Sequence, residues 1–154
     1  MYEFWAANAA VVAATATTVA FAVLVHYEGL SWMSSRLLAV HAVRRRKVLL
    51  GVYGVTALHV VEIWLFGIAV RVLLEVPHAG AITGMGHAAL LDAVYLSAVT
   101  FTTVGFGDLA PTGPIRFLCG TEALTGFILI TWSASFLYLE MEQFWRRAPR
   151  HSSS

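Results

Sequence analysis

Hydrophobic and polar positions along the chain sort into three long apolar runs, one short apolar run and the polar joints between them. Residues 5–26 are apolar and rich in Ala, Val and Thr, with no Lys or Arg. A bilayer crossing takes about 20 such residues, so this run predicts a membrane-spanning helix. Residues 48–74 and 115–141 predict two more. Residues 88–102 are apolar but short: at about 1.5 Å per residue they reach roughly 20 Å, less than the ~30 Å hydrocarbon core. They predict a re-entrant helix that stops near mid-membrane. Between the first two runs the pattern changes. Tyr27–Leu30 predict a turn, and Ser31 an N-cap for a short helix with Trp32, Met33, Leu37, Val40 and Val43 on one face. Arg36, Arg44, Arg45, Arg46 and Lys47 supply its charge, and both an interfacial amphipathic helix and a plain basic connector fit. Residues 75–87 carry loop chemistry, including His78 and His87, and Pro114 suits the first turn of the last helix.

Composition places the chain in the membrane class. Its 154 residues are 58% hydrophobic and 12% charged, with a mean hydropathy of +0.72, far from an ordinary soluble domain. The fold class that follows is an all-α membrane protein with three transmembrane helices plus a re-entrant helix and loop. A net charge of +1 gives no footing for a nucleic-acid partner. Cys119 is the single cysteine, which excludes an intramolecular disulfide or thiolate cluster and predicts a small packing residue. Met1–Trp5 lack a signal peptide's basic flank, so the first run is expected to be retained. Of ten Lys and Arg, five lie at 36–47 and three at 146–150. Placing these eight in the cytoplasm puts the N-terminus outside and the C-terminus inside a plasma (inner) membrane. The first run lacks the arginine ladder of a voltage sensor. Its Ala13, Ala14, Thr17 and Thr18 suit close helix packing.

The stretch that carries chemistry is Thr102-Thr103-Val104-Gly105-Phe106-Gly107-Asp108. A Gly-rich loop at membrane depth is tolerated only where it lines water or protein. Glycines at alternate positions let successive carbonyls turn to one side, and a column of carbonyls can replace a cation's water shell. Thr103–Asp108 resembles the selectivity filter of tetrameric potassium channels, in which carbonyl oxygens replace the ion's hydration shell. The resemblance spans roughly residues 48–142 in family order: outer helix, pore helix, filter, inner helix. Residues 1–47 are an addition to that two-helix pore, and 143–154 a short cytoplasmic tail without a soluble regulatory domain.

The resemblance implies a potassium-selective channel subunit working as a homotetramer, and no enzyme. K⁺ would be held by Thr103, Val104, Gly105 and Phe106, with Gly107 completing the filter and no cofactor needed. Thr102, Tyr95, Val99, Asp108 and Glu122 are the implied filter supports and outer mouth. Tyr95 is expected to bond Asp108. Val99 stands where many members have a glutamate, and Glu122 would approach the pore helix from behind to replace it, or bond a neighbouring helix without a filter role. Phe106 lacks the hydroxyl of the commoner tyrosine, which predicts a less tightly braced filter. Asp108, Glu75 and Asp92 would make the outer mouth negative. Gly126 matches the inner-helix hinge, and helical spacing turns Phe127, Ile130, Ala134 and Tyr138 toward the axis as candidate gate. Glu140 and Glu142 are expected at the inner mouth. Membrane lipid is the implied surrounding, with anionic headgroups at Arg44–Lys47.

His59 and Glu62 lie one turn apart in the second run, as a proton sensor, an anchor for the first helix, or a plain buried pair. Rival readings are a weakly selective cation channel, a subunit conducting only in a hetero-oligomer, an accessory protein keeping the loop as a relic, and a redox protein with His26 and His59 as haem ligands. Against the last, those histidines lie far apart in expected depth and no haem-attachment motif is present.

Overall fold

The computed structural model describes residues 2–39, 44–84 and 90–146, with side chains at 4–36, 46–84 and 90–142. His87, Val40, Val43, Arg147, Arg150 and residues 151–154 lie outside the described residues, as do the side chains of Leu37, Arg44 and Arg45. Four helices carry the fold: α1 (Tyr2–Ala39), α2 (Arg44–Leu73), α3 (Leu90–Phe101) and α4 (Arg116–Arg146). Apolar stretches of α1, α2 and α4, at 33, 28 and 30 residues, are long enough to cross a membrane. With 12 residues, or about 18 Å, α3 is not.

The first helix differs from the sequence expectation. No turn interrupts Tyr27–Leu30 and Ser31 caps nothing, because α1 continues to Ala39. One buried stripe runs its whole length, through Ala7, Val11, Thr15, Ala22, His26, Leu30 and Met33. Steps of three, four and seven keep a single helical face against its neighbours. Gly29 is a contact residue here: a Cβ would lie 2.7 Å from Leu58 Cδ1, so its lack of a side chain lets α2 approach. The same stripe leaves Ala13 and Thr17 exposed, one position off the face that packs. Trp32, expected on the apolar face, is exposed with the Arg36 guanidinium 5.3 Å above its ring.

Helix α3 is wedged between α2 and α4, burying Ala93, Leu96, Ser97, Val99 and Phe101. Phe66, Val70, Phe101, Ile115, Leu118 and Leu129 complete the main core, where Cys119 serves as a small packing residue. Before α3 and after the 102–108 loop the chain forms two short strands absent from the sequence reading, β1 (Ala81–Thr83) and β2 (Ala110–Thr112). They pair antiparallel, with Ile82 opposite Pro111. Thr83 Oγ1 donates to Ala110 O and Thr112 Oγ1 to Ala81 O, both at 3.0 Å. Each strand is three residues long, too brief for an alternation signal, and long-range pairing rather than propensity forms it. The clasp holds both ends of the α3–loop unit at one place, and a one-turn 3₁₀ segment, Gly113–Ile115, then starts α4.

Candidate functional site

The loop 102–108 begins where α3 stops, and the last turn of α3 grips it. Thr102 N–H donates to Ala98 O (3.2 Å), Thr103 N–H to Thr100 O (2.9 Å) and Gly105 N–H to Val99 O (3.0 Å). Carbonyls left free by the helix end are thus used to steer the loop. Handedness then alternates: φ is +60° at Thr103, +52° at Gly105 and +80° at Gly107, while Val104 and Phe106 between them are not left-handed. An extended strand turns successive carbonyls to opposite sides. Alternating left-handed residues cancel that pleat and bring the carbonyls round to one side. Glycine supplies two of the three positions at low cost. Thr103 is the exception, since a β-branched residue at positive φ is strained, and the bonds from Thr102, Thr103 and Gly105 hold it there. All of Thr103–Asp108 are exposed on the single chain except for their backbone anchors, Phe106 at 71% and Val104 at 55%.

Side-chain polar contacts brace the outer end of this loop and the back of α3. Tyr95 Oη donates to Asp108 Oδ2 at 2.8 Å, the pairing expected from sequence. That bond, with burial and the carboxylate's charge, raises the Tyr95 phenol above its ordinary range and keeps it a donor. Behind the loop, Glu122 of α4 reaches the back of α3, where Oε1 meets Ser97 Oγ; Ser97 also donates to Ile63 O of α2 at 2.9 Å. A serine hydroxyl has one proton to donate. That proton is shared between two acceptors, Ile63 O and Glu122 Oε1. Glu122 is fully buried and its Oε2 has no partner among the described residues. Three helices therefore meet through one hydroxyl. Val99 is buried and gives the loop its backbone carbonyl.

Gly126 faces Phe101: a Cβ there would stand 2.2 Å from Phe101 O. The glycine thus has a contact reason as well as any hinge role. Phe127, Ile130, Ala134 and Tyr138 are exposed on the single chain, Phe127 at 62% and Tyr138 at 60%, on the side of α4 that α1–α3 leave uncovered. Of the three acids expected to charge the outer mouth, Glu75 is paired with Arg71 and Asp108 with Tyr95. Glu140 is not at an open end: it is buried, and Ser34 Oγ of α1 donates to its Oε1 at 3.1 Å.

The histidines break the expectation that His26 and His59 lie far apart in depth. Their rings stack with centroids 5.6 Å apart, and each directs Nδ1 at one oxygen of Glu62, at 2.7 and 2.8 Å. The expectation failed because α1 was ended at residue 26; in a helix reaching Ala39, His26 sits well inside. Glu62 thereby joins α1 to α2, the anchoring geometry. No sequence signal marked His26 as its partner, since the pairing spans 36 residues and depends on how two helices cross.

Residues 58–143, more than half of the chain, match a family model described as "Ion channel". Among curated relatives, the chain is 38% identical over 53 residues to Protein LctB of Geobacillus stearothermophilus, covering 34% of this chain and 40% of that one. It is 45% identical over 40 residues to Protein LctB of Bacillus caldotenax, covering 26% of this chain and 30% of that one. The chain thus spans less than half the length of these relatives. No solved structure matches it. The matched segment contains most of α2, all of α3, the 102–108 loop and nearly all of α4, so the chain belongs to the ion channel family and is a multi-pass membrane protein.

Proposed function

We propose that the chain is one subunit of a homotetrameric potassium-selective channel through which K⁺ moves passively. The observation that carries this reading is the alternation of handedness at Thr103, Gly105 and Gly107 in a loop reading Thr-Val-Gly-Phe-Gly-Asp. One chain offers one carbonyl column, which covers one side of an ion. Four copies around an axis close the ring, and cyclic symmetry makes the copies equivalent. In that ring a K⁺ ion sheds water onto the carbonyls of Thr103, Val104, Gly105 and Phe106, with the Thr103 hydroxyl at the inner end. Ions advance by displacing one another between adjacent sites.

The other residues take roles around that column. The C-terminal end of α3 points at the loop, and its negative dipole end favours a cation there. Tyr95 and Asp108 brace the outer end of the filter, Val99 and Thr102 its base, and Glu122 and Ser97 its back. Gly126, Phe127, Ile130, Ala134 and Tyr138 line the path below, where an apolar constriction closes by dewetting. Residues 48–142 form the pore unit, and α1 with the following basic segment buttresses it. The Arg46–Lys47 region faces the cytoplasm and anionic headgroups of the plasma membrane, with the N-terminus outside.

Liposome flux tests the proposal. Reconstituted protein is expected to pass K⁺ down its gradient and exclude Na⁺. Equal Na⁺ and K⁺ flux would support the weakly selective alternative, and a monomer in the membrane would end the reading.

A further inference from the structure

We propose that His26, His59 and Glu62 form a binding site for one divalent transition-metal ion of the zinc class, lodged between α1 and α2 beside the end of α3. Ligand-capable atoms of the three side chains all lie within 4.8 Å of one another. His26 and Glu62 are completely buried, while the His59 side chain keeps 16% exposure. Two imidazoles and one carboxylate are a donor set of mononuclear zinc sites with a fourth position for water. The partners of Glu62 are the imidazoles, not an Arg or Lys, so no fixed cation competes for its charge.

The donors must shift to receive the ion. Tetrahedral zinc with donors at about 2.0–2.1 Å keeps those donors roughly 3.3 Å apart. The present Nδ1–oxygen separations of 2.7 and 2.8 Å, made to different oxygens of Glu62, open by about half an ångström, and donor pairs that now lie as far as 4.8 Å apart draw together. Without metal, a ring that carries its proton on Nδ1 donates it to Glu62. With metal, each ring presents its Nδ1 lone pair and carries its proton on Nε2 instead, so no proton need leave the site. His26 has a partner for either state. Ser133 Oγ of α4 lies 3.4 Å from its Nε2, and a hydroxyl both donates and accepts. A second-layer group of this kind orients a metal-bound histidine.

The site also touches every helix of the fold. Trp132 of α4 lies 5.1 Å from the His26 ring and Phe101 of α3 lies 5.8 Å from the His59 ring. Phe101 is the residue before Thr102. An ion here would clamp α1 to α2 directly behind the base of the loop. The binding claim does not depend on potassium selectivity.

The test uses the tag-free full chain, stripped with chelator and held in lipid nanodiscs, with Co²⁺ as a spectroscopic probe and Zn²⁺ as competitor. One Co²⁺ per chain is expected, with the visible absorption of a four-coordinate ion, bleached by Zn²⁺. His59→Gln and Glu62→Gln should each weaken binding by about tenfold or more, the loss that even an outer-layer partner typically causes. His78→Ala should leave it unchanged. Either variant suffices if the other fails to fold. Sub-stoichiometric Co²⁺ without that absorption, or undiminished affinity in the folded variant, would overturn the site while leaving the ion-flux result untouched.

Discussion

Gly126 separates two readings of the same residue, because a hinge and a contact respond in opposite directions to one added methyl. A hinge glycine weakens its helix, so Gly126→Ala would stabilise α4 by up to about 1 kcal/mol. The structure gives the other sign. The new Cβ would sit 2.2 Å from Phe101 O and 2.9 Å from Phe101 C, both backbone atoms, as well as 2.8 Å from the ring's Cγ. Relief requires α4 to move from the end of α3 by about an ångström, since a helix-terminal carbonyl cannot rotate away as a side chain does. Overpacking of this kind costs about 1–3 kcal/mol. Offset by the full helix gain, a net loss of up to about 2 kcal/mol remains. Gly54→Ala is the control. Its Cβ would meet Met33 Sδ at 2.2 Å, the far part of a flexible side chain that can swing aside, so its cost should stay below about 1 kcal/mol. Thermal unfolding of both variants in the same nanodiscs, with parallel K⁺ flux, reads the result. Gly126→Ala should melt lower than Gly54→Ala and lose flux, because the displaced residue leads into Thr102 and Thr103. A Gly126→Ala protein that melts above wild type would refute the contact argument and favour the hinge.

Gly105→Ala meets nothing within 4 Å on the single chain, yet at φ +52° an alanine costs about 1–2 kcal/mol per chain. Loss of K⁺ flux with a modestly lowered melting profile is expected, and preserved selective flux would count against the carbonyl column. Glu122→Gln keeps a hydrogen-bond partner for Ser97 and should resemble wild type in melting and flux, whereas Glu122→Ala should lose about 2–5 kcal/mol. Equal damage from both would mean the group acts as a carboxylate. Glu62→Ala strips both imidazoles of their acceptor and should loosen α1 by about 1–3 kcal/mol for each buried donor left unsatisfied, seen as faster hydrogen exchange in α1 than in wild type. Unchanged exchange would show that the apolar stripe alone holds the helix. Tyr95→Phe removes the bond to Asp108 and should hasten decay of K⁺ flux over time, an effect absent if the brace plays no part.

Sequence alone determined what depends on counting and on local chemistry. Run length and polarity dictated three spanning helices and one short one, because the thickness of a bilayer turns composition into architecture. The Thr-Val-Gly-Phe-Gly-Asp stretch was legible for a similar reason: glycine at alternate positions is a backbone requirement written directly in residue type. Tyr95 with Asp108 followed from the family resemblance, while Glu122 behind α3 was one of two readings the sequence left open. Tertiary structure decided everything that rests on which faces meet. It carried α1 through Tyr27–Leu30, because a continuous stripe against α2 and α4 outweighs the local turn chemistry of Glu28 and Gly29. It brought His26 to Glu62, buried Glu140 against Ser34, and paired two three-residue strands too short to announce themselves. Residues far apart in the chain become neighbours only through a helix crossing, and a crossing is set by small side chains such as Gly29 and Gly126 whose partners no local pattern names.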